Sequence, residues 1–345
     1  MMGMEHQVLN INMYFIVKNE GVEKVRKSNQ KLGNALAKYF NKKYGVITYS
    51  GTLAIELAFK CLNLEEKANI LVSSEVCYSI MSTIKKLNYN PIIVVPKNNL
   101  ILTDEEIFEV IKKQKIDCIL LVHQYGILHN LDKKKYKKMG IKIIEDIAQS
   151  WNILKCQDAD IVVTSFGHTK PLSYGIGGGM FFNNKEYYKY FDFCDNESRL
   201  QNNLIYSYLY PLCHKINLKK LIKIGNKVVK EQRKNAFKYF IELKNRNIEM
   251  IATKDNIYSN VWHRFPILLD RDSYNKFISL SKLYKLEYQQ KHKVPNYGLP
   301  SLKNSKIYNL KSSDKQVILL RTRNVKINKQ IKNLQKIFDI IEKDK

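Results

Sequence analysis

The stretch Ile143-Ile144-Glu145-Asp146-Ile147-Ala148-Gln149 is a short β-branched run that stops abruptly in carboxylates. Apolar residues without polar alternation read as a strand buried on both faces, the kind that builds parallel sheets. Working outward from it, similar runs occur at 45–49, 70–72, 92–95, 118–122, 142–145, 161–164 and 179–182. Helix-like stretches at 52–62, 79–87 and 105–113 lie between several of them, and Thr103-Asp104-Glu105-Glu106 has the capping-box pattern at the start of the last. This alternation predicts an α/β layer with a mostly parallel sheet flanked by helices.

Beyond about residue 185 the pattern changes to a long helical stretch at 209–243, strands at 264–269 and 317–320, and helices at 273–284 and 328–342. A smaller C-terminal α+β domain follows, with a large α/β domain over 1–205 and a linker helix plus small domain over 206–345. Two domains suit a chain of 345 residues, since single cores seldom grow beyond ~250–300 residues.

Hydrophobic residues at 45% and aromatics at 11% exclude a largely disordered chain. The longest apolar runs, such as Ile119-Leu120-Leu121-Val122, are far shorter than the ~20 residues of a membrane span. The first residues, Met1-Met2-Gly3-Met4-Glu5-His6, lack the pattern of a secretory signal, and the expected location is cytoplasmic. Six scattered cysteines (Cys61, Cys77, Cys118, Cys156, Cys194, Cys213) without a Cys-x-x-Cys pair argue for reduced thiols, with neither a metal site nor a disulfide framework. The net charge of +26 invites a nucleic-acid reading, but lysines spread along the whole length, with mild clusters at Lys133-Lys134-Lys135 and Lys137-Lys138, form no compact basic arm. No specific nucleic-acid partner is expected, though a basic surface can gather anionic small molecules.

Ligands in parallel sheets gather at the carboxyl ends of strands. Asp146 lies there, and so does Thr164-Ser165-Phe166-Gly167-His168-Thr169-Lys170-Pro171-Leu172, which is followed by Gly175-Ile176-Gly177-Gly178-Gly179. A lysine amine can form a Schiff base with pyridoxal 5'-phosphate, and a carboxylate facing the pyridine nitrogen keeps it protonated so that the ring accepts electrons. Ser50-Gly51-Thr52, directly after a strand and opening a helix, has the backbone N–H groups and hydroxyls of a phosphate cradle. Each element has a plainer reading: a loop and N-cap for Ser50 to Thr52, a strand-end acid for Asp146, a solvated amine for Lys170. His123 reads as a structural histidine beside the sheet, and His168 as either a bystander or a ligand contact.

Four segments occur together in order: Tyr49-Ser50-Gly51-Thr52 with Glu56-Leu57-Ala58; Val122-His123-Gln124-Tyr125-Gly126 with Leu131-Asp132; Glu145-Asp146-Ile147-Ala148-Gln149; and Ser165-Phe166 to Lys170 with Gly177-Gly178. In order and approximate spacing they resemble the DegT-type sugar aminotransferases, pyridoxal phosphate enzymes of fold type I. The resemblance covers roughly 45–182 well and the remainder loosely. It implies that Lys170 carries the cofactor, Asp146 pairs with the pyridine nitrogen, and Gln149 contacts the ring oxygen. It further implies that Gly51, Thr52 and Ser165, with Ser50 beside them, hold the phosphate. The family's ring-stacking aromatic falls in Val76-Cys77-Tyr78, where the ungapped match lands on Cys77 and Tyr78 is the residue physically suited to stacking.

Two departures stand out. Ile176 replaces the acid of the family's Gly-Glu-Gly-Gly, and no glycine lies between Lys185 and His214, where the family has the stretch that reaches the partner protomer's phosphate. Asn202 or Asn203 could substitute there. The implied function is transfer of an amino group from an amino acid, with glutamate the expected donor, to a nucleotide-linked keto sugar by a homodimer, in surface polysaccharide or amino-sugar biosynthesis. The alternatives are another fold type I chemistry, such as sugar dehydration or amino-acid modification, and a non-catalytic regulator or polyanion binder. Relatives that dehydrate carry histidine where this chain carries Lys170.

Overall fold

Helix α1 (Val22–Ala37) leads into β1 (Tyr44–Thr48), α2 (Gly51–Leu62), β2 (Asn69–Ser73), α3 (Tyr78–Lys86) and β3 (Asn90–Val95). The chain continues through α4 (Asp104–Ile111), β4 (Cys118–Val122), α5 (Lys133–Lys138), β5 (Lys142–Asp146), β6 (Ile161–Ser165) and β7 (Gly178–Phe182). This computed structural model describes residues 22–97, 100–129, 131–151, 158–190, 216–246, 248–290, 302, 305–309 and 314–344. Cys156, Cys194, Cys213, Asn202 and Asn203 lie outside the described residues, as does the expected boundary at 205/206.

The second half contributes α6 (Leu218–Leu243), β8 (Glu249–Met250), β9 (Arg264–Leu269), α7 (Arg271–Leu283), β10 (Tyr288–Gln290), β11 (Lys306–Asn309), β12 (Gln316–Arg321) and α8 (Ile327–Lys343). Of the stretch expected to be helical from 209, residues 209–215 lie outside the described residues; the described helix starts at Leu218, where the Asn217 side chain caps the first turn by accepting the Lys220 N–H at 3.0 Å. The capping box read at Thr103 is present, with Glu106 bonding back to the Thr103 N–H at 2.7 Å.

Across the large sheet the order is β1-β7-β6-β5-β4-β2-β3-β11. Neighbours from β6 to β3 run parallel, β11 adds a parallel edge strand beside β3, and β7 runs antiparallel to both β6 and β1. The sheet is therefore mostly parallel, as expected from the sequence. A second, antiparallel sheet has the order β10-β12-β9-β8. Both faces of the large sheet are covered. Ile119, Leu121, Ile143 and Val162 face one apolar cluster, whereas Cys118, Leu120, Ile144 and Val163 face another. That alternation within continuous apolar runs is what two-sided burial demands.

The same alternation separates Glu145 from Asp146, neighbours in sequence on opposite faces of β5. On the Glu145 side the protein builds a polar cluster. His123 accepts the His129 backbone N–H on Nδ1 at 3.1 Å, which leaves Nε2–H to donate to Glu145 Oε1 at 2.7 Å. Lys133, one of the clustered lysines, is buried and donates to the same oxygen at 2.9 Å. Burial alone would push the Glu145 carboxyl up. The His123 hydrogen bond and the Lys133 charge more than offset it and hold the group at about 2.

Such a depressed carboxyl contributes stability that is complete above the ordinary value of ~4.3 and is lost as pH falls toward about 2. Lys133→Met should cost about 3–5 kcal/mol near neutral pH, as expected when one partner leaves a buried pair. In urea denaturation across pH, that cost should shrink as Glu145 becomes protonated. A cost independent of pH would mean that Lys133 acts through packing alone.

Candidate active site

Strand β1 delivers Ser50 as the N-cap of α2, in extended backbone geometry, with its Oγ accepting the Leu53 N–H at 3.2 Å. Thr48 Oγ1 donates to the Ser50 carbonyl at 2.8 Å and pins the turn. Gly51 sits so close to β6 that an added Cβ would lie 2.8 Å from the Ser165 Cβ. A Cβ on Gly178 would lie 2.6 Å from the Gly51 nitrogen. The start of α2 therefore meets the Ser165 side chain at the end of β6 and the backbone at the start of β7, which only glycine permits at these two positions. Thr52 is exposed beside them, on the first helical turn, whose leading N–H groups have no intrahelical acceptor.

From Ser165 the chain enters a closed loop. The Phe166 N–H bonds to the Gly177 carbonyl at 2.8 Å, and the Tyr174 N–H bonds to the Phe166 carbonyl at 2.8 Å. Gly175 and Gly177 close it with φ of 93° and 102°, values that favour glycine. Ile176, in place of the family acid, is partly buried against the apolar cluster. Lys170 rises from this loop, its N–H bonded to the Gly167 carbonyl at 2.9 Å. Its Nζ makes no hydrogen bond or ion pair among the described residues, and its main-chain carbonyl accepts from Arg323 Nη1 at 3.0 Å.

Asp146 ends β5 almost fully buried, and its Oδ1 accepts the Ala148 N–H at 2.8 Å. No other hydrogen bond reaches this carboxylate among the described residues. Burial pushes the acid up, against smaller lowering influences from that N–H and from the Lys170 charge. Lys170 and Asp146 therefore lie within each other's field at the carboxyl edge of the sheet.

Gln149 turns its Oε1 to the Tyr125 N–H at 3.0 Å and its Nε2 to Gln124 Oε1 at 3.2 Å, leaving a second amide hydrogen uncommitted. Tyr125 has φ of 57° and Gly126 φ of 78°, so the backbone is tightly bent where Gln149 grips it. A Cβ on Gly126 would strike the His263 nitrogen at 2.7 Å, which shows how closely the C-terminal chain approaches. Cys77 and Tyr78 open α3 in exposed positions. No hydrogen bond or ring contact joins them to the other candidates among the described residues. His168 is exposed, and His123 serves Glu145.

His263, Arg264 and Arg323 were not singled out by the sequence. Arg264 opens β9, His263 precedes it and Arg323 follows β12 by two residues, and the approach of that sheet to the Lys170 loop brings them to the site. The available signal was basic residues at the strand boundaries, in His263-Arg264 and Arg321-Thr322-Arg323.

Among solved structures, NtdA from Bacillus subtilis with bound cofactor PMP matches this fold with a TM-score of 0.75 at 19% identity, covering 95% of this chain and 82% of that one. A DegT/DnrJ/EryC1/StrS aminotransferase from Brucella abortus matches with a TM-score of 0.74 at 16% identity, covering 98% of each chain. At such identities these likenesses establish the fold, that of the expected type I class. In sequence, the GDP-perosamine synthase of Escherichia coli O157:H7 is 26% identical over 168 residues, 46% of this chain and 46% of that protein. The match thus spans about half the length of this curated relative. The model of the DegT/DnrJ/EryC1/StrS aminotransferase family matches residues 12–317, and the chain belongs to that family.

Proposed function

We propose that this protein is a pyridoxal 5'-phosphate-dependent aminotransferase that moves an amino group from an amino acid, with glutamate the expected donor, onto a nucleotide-linked keto sugar. The observation that carries this reading is the meeting of Lys170 and Asp146 at one sheet edge. There a lysine amine without a bonded acid lies in the field of a buried carboxylate held by one N–H.

The residues fit the cofactor. Ser50, Gly51, Thr52 and Ser165 would hold its phosphate at the N-terminus of α2, where the missing Cβ of Gly51 lets backbone come close. Asp146 is costly to ionise where it sits, and a protonated pyridine nitrogen is the counter-charge that would relieve that cost. The uncommitted Gln149 amide hydrogen would reach the ring oxygen, and Tyr78, with Cys77 before it, would cover a ring face. When bound, the cofactor supplies an electron sink for the carbon that bears the amine. Lys170 would anchor it and, once displaced by the donor amine, carry a proton to and from the substrate carbon. Ping-pong kinetics would follow. The GDP-perosamine synthase relative supports the keto-sugar assignment and, with it, a place in amino-sugar synthesis for surface polysaccharide. The reading includes a cytoplasmic homodimer.

Protein reconstituted with the cofactor should show an absorbance band that borohydride converts to a stable adduct mapping to Lys170, and Lys170→Ala should lack both. Absence of any band would end the proposal. Mass spectrometry of reactions with a panel of nucleotide keto sugars and glutamate should then reveal an aminated product.

Asp146→Asn should lower kcat by about 10²-fold or more, on the scale of lost positioned acid–base groups. The cofactor-free variant should melt no lower than wild type, because the acid's raised pKa marks a folded-state penalty that the amide removes. A much lower melting temperature would instead make Asp146 a structural residue.

A further inference from the structure

His123 is the first residue past β4 and is almost fully buried. Its N–H donates to the Asp146 carbonyl at 3.0 Å, which extends the parallel pairing of β4 and β5 one step beyond Val122 and Asp146. Its carbonyl accepts the Ser150 hydroxyl at 3.1 Å. In the ring, Nδ1 accepts the His129 N–H and Nε2–H donates to Glu145 Oε1. One residue thus grips the main chain of Asp146 and the side chain of Asp146's neighbour.

The grip is itself braced. His129 is fixed by its own ring, whose Nδ1 lies 3.0 Å from the Leu102 carbonyl, and Lys133 reaches the same Glu145 oxygen from α5. The other Glu145 oxygen is buried without a hydrogen-bond partner among the described residues, so the acid depends on the donors to the first. Past Asp146 the turn closes on itself, with the Ala148 N–H on Asp146 Oδ1 and the Ser150 N–H on the Ile147 carbonyl at 2.8 Å, before the Ser150 hydroxyl returns to His123. On the β6 side the Ile147 N–H bonds to the Val163 carbonyl at 3.0 Å; on the β4 side the last support is His123. The Asp146 carboxylate has one hydrogen bond, so its direction follows from the main chain that carries it.

From this arrangement, and resting on the aminotransferase reading, we propose that His123 is a positioning residue for the cofactor ring, acting through Asp146. Its two ring bonds orient the residue whose N–H holds the Asp146 carbonyl, and they do so from the Glu145 face of β5, opposite the face that carries the Asp146 side chain. A carboxylate displaced by ~1 Å no longer meets the pyridine nitrogen squarely, and misplacements of that size cost up to ~100-fold. The effect has a spectroscopic sign. A protonated ring nitrogen repels the proton on the nitrogen that joins Lys170 to the cofactor, so a ring that loses its proton lets that second nitrogen keep its own to higher pH. The charged or titratable groups whose fields reach Asp146 are Lys170 and His123.

The test follows the absorbance band of the cofactor-loaded protein with pH, together with cofactor affinity and melting temperature. His123→Phe keeps a ring but removes both ring bonds; it should weaken cofactor binding by roughly 10- to 100-fold and raise the pH midpoint of the band, in the direction set by Asp146→Asn. His123→Gln, which can still donate to Glu145, should lie nearer wild type in both. Phe277→Leu, in the apolar cluster of the small sheet, should lower the melting temperature and move neither. Should His123→Phe fail to fold, Ser150→Ala releases only the His123 carbonyl and should raise the midpoint by a smaller amount. An unmoved midpoint in His123→Phe, or in Ser150→Ala where that variant decides, would make His123 structural only. A midpoint that shifts equally in Phe277→Leu would follow stability alone. Each of these outcomes overturns the proposal and, with a normal wild-type band, leaves the aminotransferase reading standing, whereas no band in wild type overturns both.

Discussion

Glu145 and Asp146 are covalent neighbours that face opposite sides of a two-faced strand, and the protein treats their charges in opposite ways. One carboxylate oxygen of Glu145 receives both His123 and Lys133, so a fully interior charge is matched locally and the acid stays ionised to low pH. Asp146 has one backbone N–H and an environment that resists its ionisation. The first acid fixes the strand end against His123 and α5, and the second is left demanding a positive partner. A one-residue slip of β5 would exchange the two roles. The site therefore depends on the register of this strand.

The side proposed to hold the phosphate depends on close approach of the chain at two glycines. Gly51 and Gly178 leave no room for a Cβ between α2, β6 and β7, so the helix start is held directly against the strand that leads to Lys170. Because β7 runs antiparallel between β6 and β1, its first residues arrive at the same edge where its neighbours end. Gly175 and Gly177 then close the loop at backbone angles other residues resist. Ile176 between them is partly buried against apolar side chains, so a residue that packs stands where the resemblance places an acid.

Much of this could be read from sequence because it is local. Continuous apolar runs gave β2 to β7 within a residue or two, and the Thr103 capping box and the strand-end position of Asp146 follow from short-range rules. What escaped was set by distant partners. Lys133 sits in a lysine-rich helix, indistinguishable by pattern from its solvated neighbours, until Glu145 draws it inside. Strand β11 is a short run between polar residues, and it becomes a strand only by pairing with β3 more than two hundred residues earlier. Arg323 belongs to the same class: nothing near it in sequence indicates that its guanidinium will meet the Lys170 loop.

A net charge of +26 does not by itself direct an anion to this edge, because most of the cations are spread over the surface and screened beyond about a Debye length. Many of them are also matched locally. Lys60 and Lys86 share Glu56, and Arg246 meets Glu242, Asp339 and Glu342. Lys170, Arg264 and Arg323 converge in a half-buried place where fields are less screened, and no acid is bonded to any of them among the described residues. Gathering like charges where water is partly excluded opposes folding, and the usual remedy is an acid nearby. Its omission costs nothing further if an anion takes that place during the reaction. The chain's basic composition, which spreads lysines over the whole length, does not by itself account for this grouping.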